Sequence, residues 1–108
     1  RALSCIQENL QFTHLAEQAT IVKTDVLSAL YGIHEKEADI IFMDPPYDCG
    51  HVERVLAVLK ALPWVTENTL IVIETSLRTD ISGLESLGFS VEKEKRYKTN
   101  RHVFCRKI

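Results

Sequence analysis

Apolar positions recur in two rhythms along this chain. Ala2, Leu3, Ile6 and Leu10 keep helical spacing and predict a helix over residues 2–12. Ile21 and Val22 centre a short strand over residues 19–26, with Asp25 near its end. Residues 26–31 suit one or two helical turns, closed by Gly32. Within residues 38–44, four consecutive apolar residues, Ile40-Ile41-Phe42-Met43, read as a buried strand that ends on Asp44. Val52, Val55, Leu56 and Leu59 share one face of a helix over residues 51–62, with Asp48 as its N-cap and Pro63 as its stop. Residues 70–74 form a second continuously apolar strand, as expected when both faces are covered. Asp80 caps a short helix that reaches Leu87, with Gly88 beyond its end. Residues 89–98 and 101–108 read as strands joined by a tight turn at Thr99-Asn100.

This alternation predicts an α/β fold: a Rossmann-like, mostly parallel sheet that closes with an antiparallel hairpin. One domain is the expectation for 108 residues. The opening on a helix is unusual, because a doubly wound sheet starts with a strand and a glycine-rich turn that holds a nucleotide-like cofactor. Gly32, Gly50, Gly83 and Gly88 form no G-x-G cluster. The expectation is that residue 1 lies inside a larger domain, with the first strand and the cofactor loop missing.

Composition changes the picture little: 45% apolar and 26% charged residues fit an ordinary globular domain. No apolar run is long enough to cross a bilayer, and nothing marks a signal peptide. Cys5, Cys49 and Cys105 lack disulfide or zinc spacing, and His14, His34, His51 and His102 lack ligand spacing. The expectations are no metal, no membrane and a cytoplasmic setting. Charge is more telling. Residues 1–90 carry six Lys/Arg against thirteen Asp/Glu, a net of −7, whereas residues 91–108 carry seven against two, a net of +5. The basic end reads either as a phosphate-binding patch or as solvated, lysine-rich edge strands.

The sharpest signal is Asp44-Pro45-Pro46-Tyr47. Proline fixes φ and lacks an N–H, so two prolines end the strand at a rigid angle. They present a carboxylate, main-chain carbonyls and a ring together at the carboxyl end of a strand, where open α/β sheets bind ligands. Blander readings remain beside this one. Asp44 can cap the following turn, Tyr47 can be a core ring, and Trp64 reads as packed.

Asp44-Pro45-Pro46-Tyr47 after an apolar strand, with this element order, resembles the class I S-adenosylmethionine-dependent methyltransferases. More narrowly the chain is similar to the bacterial 16S rRNA (guanine-966-N2)-methyltransferase family. Residues 1–12 with Asn9, Thr24-Asp25-Val26, residues 40–47, residues 70–74 and the hairpin around Tyr97 to Phe104 carry the likeness. The resemblance implies transfer of a methyl group from S-adenosylmethionine to an exocyclic base amine in RNA, with guanine N2 of small-subunit rRNA as the target. It implies catalytic roles for Asp44, Pro45, Pro46 and Tyr47, and cofactor contacts from Asp25, Val26 and Asp44. It also implies contacts to nucleic acid, 16S rRNA or the small ribosomal subunit, from Tyr47, Lys98, Asn100 and Arg101. The family's glycine-rich loop and second-strand acidic residue have no counterpart here, so this stretch alone is expected to bind cofactor poorly and to be inactive.

The residues suit that chemistry. An exocyclic amine is a poor nucleophile because its lone pair is delocalised into the ring. Fixed acceptors for its two N–H groups, the Asp44 carboxylate and the Pro45 carbonyl, favour a pyramidal nitrogen. The Tyr47 ring offers a stacking platform, worth about 1–3 kcal/mol, to a base taken out of its stack. Asp25 is equally suited to capping the helix that starts at Val26. Lys98, Asn100 and Arg101 also fit a solvated hairpin tip. Two other enzyme readings fit less well. A DNA adenine-N6 or cytosine-N4 methyltransferase uses the same motif but carries a target-recognition domain that is not seen here. An ATP-hydrolysing module needs a G-x-x-x-x-G-K-[S/T] loop, which is absent. A non-enzymatic RNA-binding scaffold would use the basic hairpin.

Overall fold

A computed structural model describes residues 2–33, 36–45 and 50–108. Among them run α1 (Ala2–Phe12), a 3-10 turn at Ala16–Gln18, α2 (Val26–Gly32), β1 (Ile40–Met43), α3 (His51–Ala61), β2 (Leu70–Ser76), β3 (Phe89–Arg96) and β4 (Asn100–Lys107). The four strands form one open sheet in the order β1-β2-β4-β3. β1 and β2 are parallel, with Met43 opposite Ile73, and α3 makes the crossover between them. β4 lies antiparallel to both β2 and β3. Parallel pairing is therefore confined to β1 and β2 among the described residues, because β4 returns from its hairpin to insert between β2 and β3.

The core lies on one face of this sheet. Leu56 and Leu59 of α3, Ile71 and Ile73 of β2, Phe89 of β3, and Val103 and Cys105 of β4 are all fully buried. β2 and β4 contribute alternate residues, as the pleat requires, whereas β3 contributes Phe89 alone. Trp64, 6% exposed, joins this core and is packed, as its sequence context suggested. Pro63 follows the extended C-cap Leu62 and ends α3 as expected. Lys60, in the last turn of α3, donates to the carbonyls of Gly88 (3.3 Å) and Ile108 (3.5 Å), tying the helix to the start of β3 and the end of β4.

The other face of the sheet is more open. Ile40 and Phe42 are 67% and 59% exposed, so β1 is covered by described residues on one face only. The expectation of a strand buried on both sides fails here because α1 buries none of its residues. α1 instead closes on itself. His14 adopts a left-handed conformation (φ 60°), and Leu15 N–H donates to the Leu10 carbonyl (2.9 Å) while His14 N–H donates to Gln11 (3.2 Å). That is a Schellman closure with histidine in the place glycine usually takes.

Three further expectations are corrected. Residues 19–25 form no strand, since β1 pairs with β2 alone among the described residues and no ladder partner meets them. Residues 82–88 form a run of turns rather than a helix. Their bonds are mostly of the three-residue kind, such as Leu84 N–H to the Ile81 carbonyl and Gly88 N–H to the Glu85 carbonyl. Ser82 and Gly83 are weak helix formers at that start. The N-cap of α3 is Gly50, in the left-handed region (φ 68°), and Asp48 lies outside the described residues.

Candidate active site

The parallel pair places the end of β1 beside the middle of β2. Thr69 fixes this register at its entrance. Its buried hydroxyl donates to the Ala38 carbonyl (2.6 Å) and accepts from Thr66 N–H (3.1 Å). Leu70 N–H then donates to the Asp39 carbonyl (2.9 Å), and the ladder runs to Met43 opposite Ile73. Asp44 is the next residue, and it emerges exposed at the carboxyl end of β1 beside Glu74.

Glu74 belongs to a small polar cluster. It pairs with His102 across the β2–β4 ladder, and its Oε1 lies 3.0 Å from His102 Nε2 and 2.9 Å from Asn100 Nδ2. The hydrogen bond from His102 is the largest of the effects that hold the Glu74 carboxyl below its usual range. Asp44 shifts the other way. Lost hydration at the strand end raises its carboxyl, and the hydrogen bond and negative charge of Glu74 raise it further, while His102 works against them. The His102 ring is flanked by Tyr97 (centroids 5.0 Å apart) and Phe42 (6.0 Å), both edge-on. Sequence reasoning missed Glu74 and His102. The available signal was a carboxylate at the end of the second apolar run, next to the strand that carries the motif.

On the other side of Asp44 opens a cavity of about 540 Å³. α2, the end of β1 and α3 form its walls: Asp25, Val26 and Leu30 on one side, Asp44 and Pro45 at the rim, Arg54 and Val55 opposite. The structure thus brings together Asp25, Val26, Asp44 and Pro45, which lie far apart in the sequence. Asp25 also caps α2. Its Oδ1 accepts from Ser28 N–H (3.0 Å) and its Oδ2 from the Ser28 hydroxyl (2.8 Å), and these bonds hold its carboxyl below its usual range.

The hairpin residues divide. Lys98 sits exposed at the tip. Asn100 turns its amide onto Glu74. Arg101 departs from the expectation of a nucleic-acid contact. It is 5% exposed, its Nε donates to Thr75 Oγ1 (3.3 Å), a terminal nitrogen donates to the Thr79 carbonyl, and Glu94 lies 3.7 Å away. Its side chain falls on the core face of β4, where burial and three partners hold it inside. Other charges of the basic end are also engaged, since Arg106 bonds Glu92 and the Asn68 carbonyl, and Lys107 bonds the Val65 carbonyl. Pro46 and Tyr47 lie outside the described residues.

An apolar-walled cavity at the carboxyl end of parallel strands, rimmed by Asp44-Pro45, is the site plan of the class I methyltransferase fold. The chain belongs to the family described as Conserved hypothetical protein 95, whose sequence model matches residues 1–106. It is 36% identical over 61 residues to the ribosomal RNA small subunit methyltransferase D of Buchnera aphidicola. That match covers 56% of this chain and 32% of the relative. Among solved structures, HI0767 of Haemophilus influenzae, provisionally assigned as a methylase, superposes with a TM-score of 0.74 at 24% identity, over 95% of this chain and 58% of its own. M1.HpyAVI, in complex with SAM, does so with a TM-score of 0.55 at 24% identity, over 76% of this chain and 50% of its own. The chain therefore spans about a third of the curated relative it matches, and these structural likenesses carry the fold. Among the described residues, no helix is long and apolar enough to cross a membrane.

Proposed function

We propose that this chain is the base-holding part of an RNA methyltransferase. It acts on the exocyclic amine of a base, with guanine N2 of small-subunit rRNA as the target, in the cytoplasm. One observation carries the reading: Asp44 and Pro45 stand at a strand end, on the rim of an apolar cavity that Asp25 and Val26 also line. The name of the Buchnera relative supports ribosomal RNA as the substrate class.

The cavity fits the adenosine part of S-adenosylmethionine in size and character, with apolar walls for a flat ring and the Asp25 carboxylate as a polar acceptor at its edge. When bound, S-adenosylmethionine supplies an electrophilic sulfonium methyl group to the lone pair of the amine, and sulfur leaves as a neutral thioether. Asp44 and the Pro45 carbonyl accept the two amine N–H bonds and turn that lone pair out of conjugation. Holding the reactants in line can account for about 7–11 kcal/mol of the barrier. The methylated nitrogen is cationic and passes one proton to water without needing a strong base. Tyr47 supplies the stacking surface, and Lys98 neutralises a phosphate at the hairpin tip. Asn100 acts through Glu74 in this arrangement, and Arg101 supports the hairpin from within.

The test is methyl transfer from labelled S-adenosylmethionine by the full-length protein to 16S rRNA, to assembled small subunits and to DNA. Label in guanine N2 of the RNA is expected. Label in DNA alone overturns the substrate, and RNA binding without any cofactor binding overturns the enzyme. The 108-residue stretch alone is expected to bind S-adenosylmethionine weakly by calorimetry and to transfer nothing.

A further inference from the structure

The Asp44 carboxylate does not stand alone at its strand end. Glu74 pairs with His102, and His102 pairs with Lys95, so a row of ionisable residues crosses β2, β4 and β3; Asp44, one residue beyond the Met43–Ile73 pair that ends the β1–β2 ladder, extends this row past the end of β1. Glu74 sits at the centre of this row and is held from two sides, by His102 (3.0 Å) and by Asn100 (2.9 Å). Both Glu74 and His102 keep only about a quarter of their side chains exposed (24% each). Tyr97 and Phe42 close on the imidazole from either side and limit its motion, and the Lys95 ammonium lies over the Tyr97 ring at 5.6 Å. A carboxylate held this firmly beside a second one fixes where the second one points. It also sets the charge that the second one feels.

We infer that Glu74 and His102 are positioning residues for Asp44: clamped by Asn100, the Glu74–His102 pair holds the Asp44 carboxyl in the orientation that accepts the substrate amine. This rests on the amine-acceptor reading of Asp44. The two residues act on Asp44 with opposite sign. Glu74 brings a negative charge and a hydrogen bond that disfavour the Asp44 anion, and His102 favours it. Glu74 alone would weaken Asp44 as an acceptor. His102 offsets that charge while leaving the geometry of Glu74 intact. Among the described residues, the ionisable groups that face His102 are Glu74 and Asp44 from the β1–β2 side, and Lys95 and Tyr97 from the β3 side. Exchange of His102 therefore alters the balance between two carboxylates and one ammonium.

The test has two arms, both on the full-length protein. In the first, the Asp44 carboxyl carbon is titrated by NMR in the unsubstituted protein, in Glu74→Gln and in His102→Gln. Glu74→Gln is expected to move the Asp44 titration to lower pH, and His102→Gln to move it to higher pH. General loosening of the strand end would move both in one direction. In the second arm, methyl transfer is followed for Glu74→Ala and His102→Gln. The kcat is expected to fall about 10- to 100-fold, as for a misplaced reacting group, with KM for the methyl donor unchanged. An Asp44 titration that stays put in both Gln variants, or moves the same way in both, overturns the inference. So does an unchanged kcat. If the unsubstituted protein transfers no methyl group at all, the proposed function fails instead, and the titration arm still decides whether the pairing exists.

Discussion

Arg101→Ala should cost the fold and leave nucleic-acid binding nearly untouched in whatever protein remains folded. The guanidinium is 5% exposed and has three partners: the Thr75 hydroxyl, the Thr79 carbonyl and the Glu94 carboxylate at 3.7 Å. Hydrogen bonds to a charged group contribute about 1.5–3 kcal/mol each, and truncation leaves the Thr79 carbonyl without this donor. Glu94 keeps part of its side chain in water (26% exposed) and also bonds Arg96, so its share is small. The expected loss is about 2–4 kcal/mol. For a domain of this size that lowers the melting temperature by roughly 10–20 °C. Urea unfolding followed by circular dichroism measures the loss, and RNA binding at several salt concentrations supplies the second axis. Lys98→Ala is the control, with unchanged stability and a shallower salt dependence. Stability of Arg101→Ala within about 0.5 kcal/mol of the parent, together with weakened RNA binding, would refute the reasoning.

Asp44→Ala should abolish methyl transfer by the full-length protein without shifting its thermal midpoint, because Asp44 is exposed at the strand end; retained activity counts against the proposed role. Phe89→Ala removes a fully buried ring and should cost about 3–5 kcal/mol in urea unfolding. Gly88→Ala forces a left-handed residue (φ 96°) and pushes a methyl group into the Lys60 side chain, so it should destabilise by about 1–2 kcal/mol. Asp25 and Asp80 each accept backbone N–H bonds that hold their carboxyls below the usual range, from Ser28 at the start of α2 and from Ser82 in a turn. Their stabilising effect is present above the unfolded-state value of 3.8 and is lost as pH falls through the lower folded-state values, which acid titration of the unfolding midpoint in Asp25→Ala and Asp80→Ala would reveal as a flatter decline. Burial pushes the Cys105 thiol up to about 11. Alkylation with peptide mapping at neutral pH should therefore modify exposed Cys5 and spare Cys105 until the protein unfolds.

Local patterns made much of the fold legible from the sequence. Helical spacing gave α1 its bounds, Ala2–Phe12, and Val52, Val55, Leu56 and Leu59 marked the inward face of α3. Pro63 marked the stop of α3, and the apolar runs located β1 and β2. These are short-range effects of side-chain period and fixed φ, so the chain carries them without its partners. Asp44-Pro45 at a strand end was equally local. What misled was any feature that needs a neighbour. The apolar pair Ile21-Val22 predicts a strand, but a strand exists only where a ladder accepts its N–H and C=O groups, and β1 offers none to it among the described residues. A basic composition made Arg101 resemble a surface contact, whereas its parity along β4 turned it to the core side. Pairing across strands is a long-range outcome of register, and no spacing within one segment reveals it. For that reason Glu74 and His102, 28 residues apart in sequence, meet at 3.0 Å only once β4 has inserted beside β2. By itself the sequence determined α1, α3, the strands β1 and β2, and the point where Asp44 leaves the sheet. Tertiary structure decided which residues stand around that carboxylate, because only the sheet register sets their distances.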